Sequence, residues 1–327
     1  MRIGKWLYVV AAVALTLIVY GSASAQWKPS KNVELVAPAT PGGGYDTLAR
    51  AVHKVIQDYK LVDVPINVIN KPGGGSSIGW AYVSQHAGDG HYIAVASSTL
   101  LTNDIVGINP FRWTDLTPLG VLSTEYLVFS VQAESKIKGA NDLMDRLRAN
   151  PKSINFATAP GPGNANHILM GLMAKAIGVN VRQMPLVFFA SAADSTTAAL
   201  GGHVDVVISS IPPILEQVKA GKMRILAIGA PQRLPDVMAN VPTLRELGAD
   251  AVFVNWRGIL GPKNLNGEQI RYWETLLGRL SKSEGWKTYS ENTFSTPTFL
   301  DSMMSARFFQ AQYREVRPIM QELGLAK

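Results

Sequence analysis

One pattern persists along nearly the whole chain: a short β-rich apolar run, a turn, a helical stretch, then another apolar run. Residues 33–37, 66–70, 93–96, 126–131, 154–158, 184–188, 204–209 and 225–229 have the composition and length of strands. Helical faces recur between them. In residues 46–59, Leu48, Val52, Val55, Ile56 and Tyr59 line one face. Residues 167–177 and 214–220 behave alike, and the latter stretch stops at Gly221, a residue suited to ending a helix. Strand, loop, helix and strand in repetition predict an α/β fold with mainly parallel sheets.

The alternation is interrupted at two places that read as crossings between domains. Residues 119–131 form a long, almost continuous β-like stretch through Ser123-Thr124-Glu125. Residues 252–260 (VFVNWRGIL) follow a region punctuated by Pro231, Pro235 and Pro242. If both are hinges, residues 26–124 plus 251–327 form a first lobe and residues 125–250 a second, inserted one. The helical patterns at 269–280 and 302–323 would then pack back on the first lobe. There is no internal repeat and no low-complexity tract.

At the N-terminus, Arg2 and Lys5 precede an apolar run over residues 7–20, and Ala23-Ser24-Ala25 offers the small-x-small ending that a signal peptidase cuts. The run falls short of the roughly 20 apolar residues a membrane-spanning helix needs. Residues 1–25 are therefore expected to be a cleaved signal peptide. The chain contains no cysteine, which excludes disulfides, thiolate catalysis and cysteine-ligated metal. It also removes the attachment point of a lipid anchor, and a freely diffusing periplasmic protein is expected. Removing residues 1–25 takes away two basic residues and no acidic one, so the formal charge of +7 becomes +5. The excess is scattered, with no Lys/Arg block of the kind that binds nucleic acid.

Three glycine-rich loops join a strand to a helix. They are Pro41-Gly42-Gly43-Gly44-Tyr45-Asp46, Lys71-Pro72-Gly73-Gly74-Gly75-Ser76-Ser77, and Gly161-Pro162-Gly163-Asn164-Ala165-Asn166-His167. In open α/β sheets ligands bind at the carboxyl ends of strands, where such loops lie. Glycine admits close backbone approach, and a helix N-terminus offers unpaired N–H groups with partial positive charge. A carboxylate or phosphate fits there without arginine, although each loop taken singly is also an ordinary tight connection. Asp46 would repel an anion, so its expected work is to cap backbone N–H groups and hold the loop. Tyr45 and Asn164 are candidates to donate to a carboxylate, and Tyr45 has the alternative of packing under its loop. Replacing Gly43 or Gly163 by valine is expected to block binding while sparing the fold.

Enzyme signatures are weak. Gly75-Ser76-Ser77-Ile78-Gly79 matches the G-x-S-x-G elbow with Ser77 as nucleophile, and Asp104 and His167 follow in the right chain order. The elbow, however, needs an abrupt strand-to-helix turn, and Lys71 to Ser76 intervene. Gly161-Pro162-Gly163 has Asn166 where a dinucleotide fingerprint needs glycine. The histidines His53, His86, His91, His167 and His203 lack metal-ligand spacing. No cofactor, no metal and no catalytic residue are expected.

In order and spacing these segments resemble the receptor proteins of tripartite tricarboxylate transporters, the Bug family. The series begins with Pro41 to Asp46, Asn70 to Gly75 and Asp89-Gly90-His91. It continues through Gly161-Pro162-Gly163-Asn164 with His167, Gly201-Gly202-His203-Val204-Asp205-Val206, and Lys219-Ala220-Gly221-Lys222-Met223-Arg224. The likeness covers nearly the whole chain after residue 25. It implies a two-lobed periplasmic binding protein fold of type II, with two mixed or parallel sheets flanked by helices, a hinge and a central ligand cleft. It also implies capture of a small organic carboxylate (a di- or tricarboxylate, or an aromatic one) and delivery to a membrane permease of one large and one small subunit. A monomer is expected, with no nucleic-acid partner. By the resemblance the ligand positions are Gly43, Gly44, Tyr45, Asp46, Gly161, Gly163, Asn164 and His167, with Phe189, Ala190 and Ser191 following; Ser98, Thr99 and Asp205 complete the candidate set. Tyr45, Asn164 and Phe189-Ala190 depart from the residues common in the family, and the bulkier aromatics favour a more extended or less polar acid than citrate. The alternatives are a receptor that presents its ligand to a sensor protein, and a periplasmic serine hydrolase using Ser77.

Overall fold

The structure is a computed structural model that describes residues 27–159 and 161–326. The signal-peptide expectation concerns residues 1–25 and lies outside the described residues. The chain first runs through β1 (Val33–Ala37), α1 (Gly44–Asp58), β2 (Ile66–Asn70), α2 (Ser77–Ser84), β3 (Tyr92–Ser97), α3 (Thr99–Val106) and β4 (Leu116–Glu125). It continues as β5 (Leu127–Gln132), α4 (Ala140–Ala149), β6 (Phe156–Thr158), α5 (Ala165–Ala176), β7 (Leu186–Phe188), α6 (Ala192–Leu200), β8 (Val206–Ser210), α7 (Ile211–Lys219) and β9 (Met223–Ile228). It closes with β10 (Asn255–Pro262), α8 (Gly267–Leu280), α9 (Glu284–Thr293), β11 (Thr296–Leu300) and α10 (Ser302–Glu322).

These elements make two mixed sheets. One is six-stranded in the order β11-β4-β10-β3-β1-β2, the other five-stranded in the order β7-β6-β8-β5-β9. β1 runs parallel to β2 and β3, while β10 is antiparallel to β3 and β4. Period-two alternation sends Val33, Leu35 and Ala37 to one face of the first sheet and Val36 to the other, and helices cover both faces. This is why the strand is apolar at every position but Glu34. The face with Leu35 meets α1, α8 and α9 through Leu48, Val52, Trp273 and Trp286. The opposite face meets α2, α3 and α10 through Trp80, Leu100 and Phe309. The second sheet is likewise enclosed, by α4 and α5 on one side and α6 and α7 on the other.

β4 ends in the first sheet at Glu125 and β5 begins in the second at Leu127, so the chain crosses at Tyr126. It returns before β10, after Ala251 and Phe253 have joined the core of the second sheet. One expectation needs correction, namely that the whole C-terminal part packs on the first lobe. Phe309 of α10 packs there, but Val316, Ile319 and Met320 sit in the core of the second sheet. Arg182 of the second lobe also donates to the carbonyls of Gln321 and Glu322. α10 is therefore a strut joined to both lobes.

The remaining differences have local causes. β11 (TPTFL) carries Pro297, which lacks a ladder donor and is tolerated because the strand is at the sheet edge. α9 is mostly polar and buries only Trp286 and Ser290, too few positions to mark a face. No described helix is long and apolar enough to cross a membrane.

Candidate functional site

Strand pairing locates the loops relative to the crossings. Ser97 at the end of β3 opposes Arg257, and Glu125 opposes Asn255. Since β1 runs parallel to β3, the loop after Ala37 emerges at the sheet edge where the chain crosses. In the second lobe Leu127 opposes Ser210, and β6 runs parallel to β8, so the loop after Thr158 emerges at the matching edge. The first and third glycine-rich loops therefore both open toward the space between the lobes.

The first loop is held by a buried carboxylate. Asp46 is 2% exposed, and its Oδ2 accepts from the Gly42 N–H and from Arg50 Nε, each at 2.8 Å. Its Oδ1 accepts from Asn70 Nδ2 at 2.8 Å, and the same amide donates to the Ala39 carbonyl at 3.0 Å. The Arg50 hydrogen bond, helped by those from Gly42 and Asn70 and opposed by burial, holds the carboxyl pKa down at about 2. Asp46 thus closes the loop back on itself. It does not cap the first helical N–H groups, and both its oxygens are taken by protein donors.

That leaves the N-terminus of α1 unspent. The cap is Gly43, in extended conformation and with no side chain to offer, while its own N–H donates to the Thr40 carbonyl. The N–H groups of Gly44 and Tyr45 in the first turn have no partner among the described residues. A Cβ at Gly44 would meet nothing within 4 Å, so the backbone there borders open space. The Tyr45 ring packs under the loop, edge-on to Trp80 at 5.9 Å, and its hydroxyl lies 2.6 Å from Ser97 Oγ. Thr99 joins the same cluster, its N–H donating to Ser97 Oγ at 3.3 Å.

The third loop differs. Asn164 caps α5: its Oδ1 accepts from the N–H groups of Asn166 and His167 at 2.8 and 3.1 Å, and its Nδ2 donates to the Gly161 carbonyl. The cap takes both acceptances of Oδ1 and one of the two Nδ2 donors, so only one N–H of this amide remains for a ligand. Gly163 N–H donates to His167 Nδ1 at 3.2 Å, and burial lowers the imidazole pKa to about 4. The ring is neutral at pH 7, with its proton on Nε2 and no protein partner for it among the described residues. Gly161 borders open space, whereas a Cβ at Gly163 would stand 2.7 Å from Met320 Cε at a φ of +76°. The valine substitution expected to be silent for the fold is therefore strained at Gly163, and at Gly43 it would crowd the Thr40 carbonyl at 3.1 Å.

The other candidates scatter. Ser98 is buried and donates to Asn255 Oδ1 at 2.7 Å, part of the crossing rather than the cleft wall. Phe189 and Ala190 follow the end of β7, and Ser191 caps α6 through the Asp194 N–H. Asp205 is misplaced as a ligand residue. It precedes β8 at the opposite end of the sheet, where it accepts from the Asn155 N–H at 2.8 Å. Ser77 Oγ is buried with no hydrogen-bond partner, histidine included, among the described residues.

Sequence reasoning missed the charged network behind the first loop. Glu125 Oε1 accepts from Asn255 Nδ2 and from Arg257 Nη2, each at 2.6 Å, and the guanidinium lies 5.6 Å from the centre of the Tyr45 ring. Burial opposes the charge of Arg257, but the adjacent Glu125 carboxylate, together with Tyr45 and Tyr289, raises the pKa. The available signal was an arginine in the otherwise apolar crossing stretch 252–260.

Comparison with known proteins agrees with this architecture. The chain is 27% identical over 277 residues to Protein BugT of Bordetella pertussis, covering 83% of this chain and 82% of the relative. It is 28% identical over 305 residues to a UPF0065 protein in the gbd 5′ region of Cupriavidus necator, covering 91% and 89%. The R. palustris protein Rpa4515 with adipate superposes with a TM-score of 0.80 at 22% identity, covering 91% of this chain and 99% of that one. MatC from Rhodopseudomonas palustris with bound malate gives 0.75 at 20% identity, covering 89% and 99%. The model of the tripartite tricarboxylate transporter family receptor matches residues 48–325, and the chain belongs to that family.

Proposed function

We propose that this protein is a periplasmic receptor that captures a small organic carboxylate between its lobes and delivers it to a membrane permease. The observation that carries the reading is the unspent N-terminus of α1. The Gly44 and Tyr45 N–H groups have no protein acceptor among the described residues and the backbone at Gly44 borders open space, and a carboxylate satisfies them and the helix dipole together. The neutral His167 supplies an Nε2–H donor from the second lobe. Closure of the lobes over the anion then completes its hydrogen bonds, and no bond in the ligand is made or broken. Family membership supports the reading, as do the neighbours named with malate and adipate.

Isothermal titration with malate, adipate and citrate, and with benzoate for the aromatic class, tests it. Saturable 1:1 binding of at least one acid is expected. Failure of every acid to bind would overturn the reading.

A further inference from the structure

Arg257 is a charged residue close to the α1 N-terminus with no role in the reading so far. It stands at the crossing end of β10, opposite Ser97, with its side chain 20% exposed. Of its five N–H donors one is spent, on Glu125 Oε1, which Asn255 shares. A cation this enclosed is costly unless compensated, and one shared contact is less than the bidentate match a guanidinium makes with a carboxylate. The rest of its donor edge is unmatched by protein among the described residues. Its guanidinium lies 5.6 Å from the centre of the ring of Tyr45, the residue whose backbone N–H is one of the free donors of α1. That ring is fixed, tied to Ser97 through its hydroxyl and packed against Trp80.

We propose that Arg257 is the specificity-determining residue of the cleft. It takes the far carboxylate of a ligand whose near carboxylate rests on the Gly44 and Tyr45 N–H groups, so the site prefers a dicarboxylate to the monocarboxylate of the same skeleton. This rests on the receptor reading above. Glu125 is a positioning residue, which fixes the plane of the guanidinium and balances its charge when the cleft is empty.

The test is titration calorimetry on the full mature chain with matched pairs: butyrate against succinate, pentanoate against glutarate, hexanoate against adipate, and benzoate against terephthalate. The wild type is expected to prefer the diacid of at least one pair by tenfold or more. Arg257→Gln should bring that ratio close to one, and Arg257→Lys should leave an intermediate value. Glu125→Gln keeps an acceptor for Asn255 but removes the competing charge, and it should raise the ratio severalfold. Circular dichroism of each variant checks that it folds. A ratio unchanged in Arg257→Gln, or lost equally from both members of a pair, overturns the assignment while leaving the receptor reading intact. A wild type that binds no acid of any pair overturns both.

Discussion

Gly163 donates its N–H to Nδ1 of His167 at 3.2 Å, which leaves the imidazole proton on Nε2 and ties the third glycine loop to the helix it opens. Burial keeps this histidine neutral, with a pKa of about 4 against an ordinary 6.5. The unfolded chain therefore takes up a proton between pH 6.5 and 4 that the folded chain refuses, and stability falls as pH falls through that window. The shift corresponds to roughly 3 kcal/mol. Urea unfolding at pH 7 and pH 4.5 should show a smaller loss for His167→Asn than for the wild type. Parallel losses would contradict the assignment.

Asp46 gives the opposite sign. Its pKa is held at about 2, below the 3.8 of a free carboxyl, so its contribution is present above pH 3.8 and is lost as pH falls toward 2. Asp46→Ala leaves the Gly42 N–H without its acceptor and takes from the Asn70 amide one of its two. It should cost about 1–3 kcal/mol at pH 7 and remove that acid-sensitive component. It should also weaken carboxylate binding without any contact to ligand, because the loop is no longer closed. Binding that is unaffected would mean the loop keeps its shape without this knot.

Glycine substitutions separate loop architecture from ligand approach. Gly44 and Gly161 border open space, and neither has positive φ. Valine at either position should cost binding the equivalent of one hydrogen bond to a charged group, about 1.5–3 kcal/mol, with little change in Tm. Gly163→Val should instead lower Tm markedly, because it is strained at a φ of +76° and meets Met320. A thermal scan beside a titration distinguishes the two classes. Equal behaviour of all three would refute the division.

The strut role of α10 makes Met320 a test of lobe coupling. Met320 is fully buried in the second lobe, although its helix begins on the first. Met320→Ala should destabilise by about 2–5 kcal/mol. It should also speed amide exchange in α5, which α10 contacts through Gly171. Exchange faster only in α10 would contradict the coupling.

Strands such as β1 were readable because both faces of the sheet are covered there, which leaves Glu34 as its one polar residue. Helices such as α9 and edge strands such as β11 bury too little to leave a periodic mark. At the site, the loops themselves were legible from their glycines, but which donors remained free was not. Asn164 looked like a ligand donor, and its helix cap takes Oδ1 and one of its two N–H groups. Tyr45 looked equally suited to two roles until Ser97, far away in sequence, was brought beside it. Asp205 and Val206 fit the family spacing, yet strand direction puts Asp205 at the wrong end of the sheet. Arg257 became meaningful only when strand pairing set it behind Tyr45.

The central claim is that the free N–H groups at the start of α1 bind a carboxylate. Its most direct measurement is thermal stabilisation by a panel of mono-, di- and tricarboxylates, each beside its uncharged amide. At 100 times its dissociation constant an acid should add about 2.7 kcal/mol, with its amide giving none and Gly44→Val cutting the gain to about half or less. Stabilisation by no acid, or equal stabilisation by acid and amide, would contradict the account.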